Sequence, residues 1–204
     1  YFLTDIGKIA YNLLDATSDY LPKLDRKYSN ISHRLVYTLG LGNLARYYTE
    51  HAKYFIVESL VLVSLLGYLF SLNRKVLVLT LLEPISMGSV ATILSSLSSW
   101  IVISLICEFL SIKFFSSSKG ISKVFVAVSI SYIPFFLPSL VTMIFPYYDI
   151  NRVLSSIIFL ISEVWFLIIL TVQISITKGI RYLRSLFIAI AVGYLSLFLH
   201  LLVS

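Results

Sequence analysis

Long apolar blocks separated by short basic clusters dominate the pattern of the chain. Tyr54–Leu72 is predominantly apolar, with Glu58 its one charged residue, and ends at Asn73-Arg74-Lys75. Three more blocks cover roughly 121–145, 153–176 and 182–203. A helix needs about 20 apolar residues to cross a hydrocarbon core about 30 Å thick, so each block predicts one transmembrane span. Between the first block and these three lies Val76–Phe115, 40 residues long. As a single helix it would extend about 60 Å, twice the core. It must therefore bend, break or contain two spans. Glu83-Pro84 interrupts any helix there, because proline disfavours the helical region for the residue before it.

Charge placement decides between five spans and six. With one span at about 89–113, three basic groups fall on one side of the membrane. They are the seven Lys and Arg of residues 1–53, then Lys113, Lys119 and Lys123, then Lys178, Arg181 and Arg184. Only Arg74, Lys75 and Arg152 fall on the other. Six spans would divide the basic residues evenly. The positive-inside rule therefore favours five spans, with the N-terminus in the cytoplasm and the C-terminus outside. In this arrangement Val76–Gly88 is an excursion at the outer face, and the apolar strip Val76–Leu82 lies against the bundle or in the interface. The fold class is an all-α integral membrane protein. A cytoplasmic N-terminal helical segment, 1–53, precedes a five-span membrane domain, 54–204, with spans at about 54–72, 89–113, 121–145, 153–176 and 182–203.

The first 53 residues are mixed in character. Phe2, Leu3, Ile6, Ile9, Ala10, Leu13 and Leu14 share one helical face, and Thr4 can cap it. Leu21–Ser32 is polar, contains Pro22 and reads as a linker. A second helix is expected over about 31–54, weakened by Gly40 and Gly42. The segment reads as a hairpin packed under the bundle, or as an interfacial, partner-docking surface.

Composition agrees with a membrane setting. The chain has 204 residues, of which 58% are hydrophobic and 13% charged. A soluble domain carries roughly 25% charged residues. The net charge of +6 does not point to nucleic acid, because the basic residues sit between the apolar blocks and in residues 1–53, where anionic lipid attracts them. The single cysteine, Cys107, excludes an intrachain disulfide and a cysteine-based metal cluster. His33 and His51 precede the first span while His200 lies near the outer end of the fifth, so neither a haem nor a metal site is expected. No serine-hydrolase, zinc-protease or phosphate-loop motif is present. We expect no enzyme activity and no cofactor.

Ionisable groups at membrane depth are costly and each needs an account. Four stand out: Glu58, about one turn into the first span; Glu108, near Lys113; Glu163, the deepest carboxylate; and His200. Glu163 can serve a proton or substrate path, with Glu108 or a serine as partner. Alternatively it is a neutral or hydrogen-bonded group that fixes helix packing. Two lone carboxylates do not make a relay, which favours packing. Ser89, Ser95, Ser96, Ser98, Ser99 and Ser104 cluster in the second span and either pack closely or line a polar path. Ser185, Ala189 and Gly193, spaced by four, form a small-residue stripe suited to a helix–helix contact. Pro134 and Pro138, one turn apart, should kink the third span.

The order of features over about 85–204 resembles the Yip (Ypt/Rab-interacting) family of membrane proteins and its prokaryotic relatives. Ile101–Phe115 runs into Ser116-Ser117-Ser118-Lys119-Gly120. The next span contains Ser131-Tyr132-Ile133-Pro134, and Glu163-Val164-Trp165 lies in the one after. That span ends at Thr177-Lys178-Gly179, followed by basic residues and a last apolar helix. Serines stand where the family often has a glycine pair. The resemblance implies a Yip domain, five spans, an inside N-terminus and no catalytic residue. It also implies a scaffold that binds partner proteins at the membrane. Other expectations compatible with the sequence are a dedicated subunit of a larger respiratory or secretory complex, or a small transporter or channel. The expected partners are the lipid bilayer and other membrane proteins or subunits, in the cell membrane if the source is prokaryotic.

Overall fold

The computed structural model describes residues 37–73, 75–83, 88–117, 120–144 and 150–203. Thr38–Ser204 form one compact unit. The helix expected over Phe2–Leu14, the linker after it, His33 and Pro84 lie outside the described residues.

Helix α1 spans Gly42–Glu50 and α2 spans Ala52–Leu72. The single helix expected over 31–54 is thus broken twice. Leu41 adopts a left-handed conformation, φ 55°, and its carbonyl receives the first bond of α1 from Ala45 N at 2.9 Å. A second break falls at His51. Strands β1 (Val76–Val78) and β2 (Leu81–Glu83) follow, then α3 (Ser89–Phe115) and α4 (Ile121–Ser131). A 3-10 turn over Ile133–Phe135 leads into α5 (Phe136–Ile144). Helices α6 (Ile150–Lys178) and α7 (Tyr182–Val203) complete the order.

Four helical stretches are long and apolar enough to cross a membrane: Ala52–Leu72, Ser89–Phe115, Ile121–Val141 and Ser156–Lys178. The third joins α4, the 3-10 turn and α5. Pro134 sits at the joint, where its missing N–H ends the α-helical ladder, and Pro138 lies buried one turn on. Helix α7 carries a shorter apolar stretch, Tyr182–Phe198.

The helix ends are set by local chemistry. Helix α6 stops at Gly179, φ 65°, the left-handed position that glycine takes most cheaply. Helix α3 stops at Ser116, φ 52°, with Ser117 N bonded back to Ser111 O. These two ends meet, since Ser117 Oγ donates to the carbonyl of Lys178 at 2.8 Å. Ala52, at the start of α2, packs with Val126, Ile130 and Ile169. The basic ends of α2, α3, α4 and α6 therefore gather at one end of the bundle.

Read from sequence alone, Val76–Leu82 lies against the bundle or in the interface. The structure packs it against the helices as an antiparallel hairpin, Val76 opposite Glu83 and Val78 opposite Leu81, whose tip is enclosed by helices. Leu77, Leu79 and Thr80 are 0%, 5% and 0% exposed. The reason is that partners for its backbone are supplied from inside the bundle.

Candidate functional site

The hairpin tip gathers several buried polar groups from different elements. Strand backbone at membrane depth is tolerated only where protein or a water-filled cavity satisfies its N–H and C=O groups. Helix α3 does this with two serines one turn apart, on one face. Ser95 Oγ donates to Leu77 O at 2.9 Å, and Ser99 Oγ donates to the same carbonyl at 3.2 Å. Ser99 Oγ in turn accepts from Leu79 N at 2.9 Å. From α4's end, the Tyr132 hydroxyl donates to Leu79 O at 3.1 Å. Leu79 itself holds φ 55°, a turn position that normally selects glycine. That strain, about 1–2 kcal/mol, is offset by the bonds on both its backbone groups. Beside the hairpin, Lys75 is half-buried, and burial lowers its pKa from the ordinary lysine value.

Glu163 of α6 meets the tip from another side. Its Oε1 lies 3.5 Å from Thr80 Oγ1, the outer limit of a hydrogen bond. Tyr132, Phe135, Phe159 and Phe166 stack below, with ring centroids 5.3–5.7 Å apart along the Tyr132–Phe166 and Phe135–Phe159 contacts. One continuous arrangement thus links α3, the hairpin, Tyr132 and Glu163.

A second cluster lies where α3 and α6 end. Lys178 Nζ sits 2.5 Å from Glu108 Oε2, with side chains 0% and 12% exposed. The two groups form a direct ion pair shielded from solvent on the lysine side. Next to Glu108, Cys107 is fully buried. On the far side of the same end, the Arg184 guanidinium stands 5.6 Å from the centre of the Phe115 ring.

The structure brings some of the singled-out residues together and separates others. Glu163 and Glu108 belong to the two different clusters just described. Glu58 is exposed on the outer face of α2. His200 is in α7, and its side chain is outside the described set. Of the serines, Ser95 and Ser99 hold the hairpin. Ser96 and Ser104 return their protons to their own helix, at Thr92 O and Trp100 O. Ser89 and Ser98 are exposed. Ser185 and Ala189 are fully buried. A Cβ added at Gly193 would meet Leu167 of α6 at 3.7 Å.

Sequence reasoning named Tyr132 only within the Ser131–Pro134 element and Lys178 only as a loop charge, and passed over Gln173 and Gly67. Gln173 is buried and points its amide at Gly40 O, 3.3 Å away, covering the break before α1. The Trp165 indole donates to Leu39 O at 2.9 Å. At Gly67 α2 and α3 approach closely, since an added Cβ would stand 2.9 Å from Ile93 Cα. A polar residue inside an apolar block was the available signal for Gln173. For Gly67 it was a glycine in the middle of a span.

Leu39, Leu160, Ile161, Val164, Trp165 and Ile168 line an open groove of about 320 Å³ with wholly apolar walls. Among the described residues, no group of three or more His, Cys, Asp or Glu is placed to hold a metal ion. No protein-family model matches the chain, and neither a curated protein nor a solved structure is found to be similar to it.

Proposed function

We propose that the chain is a non-enzymatic, multi-pass membrane scaffold or accessory protein of Yip type. It has five spans, a cytoplasmic N-terminus and an outside C-terminus, and it binds partner proteins at the membrane. One observation carries the reading: among the described residues, the polar groups at the hairpin and at the joined ends of α3 and α6 are engaged in holding the fold. Ser95, Ser99 and Tyr132 serve the hairpin backbone, and Glu108 serves Lys178. The surfaces open to recognition are the apolar helix faces and the exposed Tyr47, Glu50 and His51 around α1. Support for the fifth span comes from α7, whose 22 residues extend about 33 Å. The orientation is supported by the gathering of the basic loops at one end of the bundle.

The test is purification from native membranes with quantitative identification of what accompanies the chain. A scaffold brings substoichiometric partners. A fixed stoichiometric complex instead assigns a dedicated subunit. Solute movement by the purified chain alone in liposomes would overturn the scaffold reading.

A second reading, a small transporter or channel, is favoured by the hairpin itself. Non-helical backbone beside a carboxylate at membrane depth is a recurrent feature of transport sites. In that reading Glu163 and the hairpin tip are the site.

A further inference from the structure

Glu58 stands apart from the other carboxylates of the apolar helices. Glu108 is ion-paired and Glu163 faces Thr80. Glu58 has neither a hydrogen bond nor an ion pair among the described residues, and it points outward. Its depth is fixed by its neighbour: Ser59 Oγ lies 2.8 Å from Ser129 Oγ, and Ser129 is the ninth residue of α4. That is about 12 Å along α4 from its first residue, so Glu58 stands more than one turn inside the apolar stretch of α2. A lone carboxyl turned to lipid at that level is costly, whereas a partner able to donate and accept hydrogen bonds removes the cost.

The surroundings describe that partner. Tyr54, Val61, Leu65, Tyr68 and Leu72 are all exposed on α2. With Glu58 they step by four and three alternately, the spacing of a left-handed helix–helix seam. Among the four span-length helices, α2 is also the least covered, with 28% of its apolar window buried against 39%, 67% and 44%. We propose that this face of α2 is a self-association surface, on which a second copy of the chain packs its own α2 in parallel around Glu58.

Chemical complementarity favours a copy over a foreign helix. All copies insert with the same orientation, so a two-fold axis along the membrane normal sets α2 beside α2 in register. In such a seam each position of Glu58's type meets its own counterpart. Two carboxyls in contact cannot both ionise, so they hold one proton between them, one acting as O–H donor and the other as acceptor. Glu58 therefore supplies both halves of the bond it needs. The proposal goes beyond the scaffold reading, because it requires no foreign partner.

The test is oxidative crosslinking of the full chain in native membranes, with Cys107→Ala as background. Val61→Cys and Leu65→Cys lie on the seam, and Leu60→Cys, also exposed, lies off it. The expected result is a disulfide-linked dimer from the two seam positions and little from Leu60→Cys. Glu58→Gln retains a donor and an acceptor and should keep the crosslink. Glu58→Leu should weaken self-association about tenfold, the scale of one interhelical polar contact in a membrane. Because Glu58 is exposed, these variants leave the monomer's packing alone, which unchanged thermal unfolding of the monomer in detergent verifies. The proposal is overturned by crosslinking that is uniform around α2, by absence of a dimer, by seam cysteines that couple only to a different protein, or by full dimerisation of Glu58→Leu.

Discussion

The Tyr132 hydroxyl reaches the carbonyl of Leu79 at 3.1 Å, so a side chain from the middle of the third apolar stretch closes the tip of the hairpin. Removing it strands a buried carbonyl without removing the ring's packing. Tyr132→Phe should therefore cost about 1–3 kcal/mol, the penalty of an unsatisfied buried acceptor. Ser99→Ala should cost about as much, since it takes away the acceptor of Leu79 N while Ser95 still serves Leu77 O. Thermal unfolding in detergent measures both. In a Cys107→Ala background, Thr80→Cys should react with maleimide faster when either change is added. Equal reactivity would mean that the hairpin is held by something else.

The Glu108–Lys178 pair predicts non-additive variants. Lys178 is wholly buried, so Glu108→Gln leaves an ammonium without its counter-charge. Each of Glu108→Gln and Lys178→Met should destabilise by about 3–5 kcal/mol. The double variant should recover most of that loss, because no isolated charge remains. A double-mutant cycle in detergent checks this. Additive losses would mean that the two groups do not depend on each other.

Two glycines face helix contacts of different tightness, and alanine separates them. At Gly67 the new methyl would lie 2.9 Å from the backbone of Ile93 and 2.9 Å from Ser96 Oγ, so α2 and α3 must move apart. Gly67→Ala should cost about 1–3 kcal/mol. At Gly193 the nearest atoms are flexible Leu167 methyls at 3.7 and 3.8 Å, ordinary contact distances. Gly193→Ala should be neutral or stabilising by up to about 1 kcal/mol from helix propensity. Gly193→Leu should destabilise, since its larger side chain must displace Leu167. A loss at Gly193→Ala equal to that at Gly67→Ala would contradict this ranking.

The long helices were legible because their signal is local. Ser89–Phe115 and Tyr182–Val203 stand over apolar runs that begin just after Gly88 and Arg181. The hairpin was not legible, because Val76–Leu82 is as apolar as a span and its strands depend on donors 18 to 53 residues away in sequence. Ser95 and Ser99 were visible as polar residues one turn apart, yet nothing local says whether a serine bonds its own helix, as Ser96 does, or a neighbouring strand. Lys178 illustrates the same limit. Its position after an apolar run marks it as a loop charge, and its burial against Glu108 arises only when α3 and α6 end side by side.

Glu163 distinguishes the two functional readings. Its contact with Thr80 Oγ1 is long, 3.5 Å, and contributes little to stability by geometry alone. Glutamine keeps the length, the acceptor oxygen and the shape, and removes only the ability to carry a charge or exchange a proton. In a scaffold, Glu163→Gln should leave unfolding temperature and partner recovery within experimental error, and Thr80→Val should cost no more than about 1 kcal/mol. In a transporter, the same glutamine should abolish solute or proton movement while the protein stays folded. Reconstituting both forms in liposomes and recovering partners from membranes expressing each decides the matter. Transport that requires Glu163 would assign the hairpin tip as a substrate or proton site, and intact binding without transport would leave Glu163 as a structural contact of the hairpin.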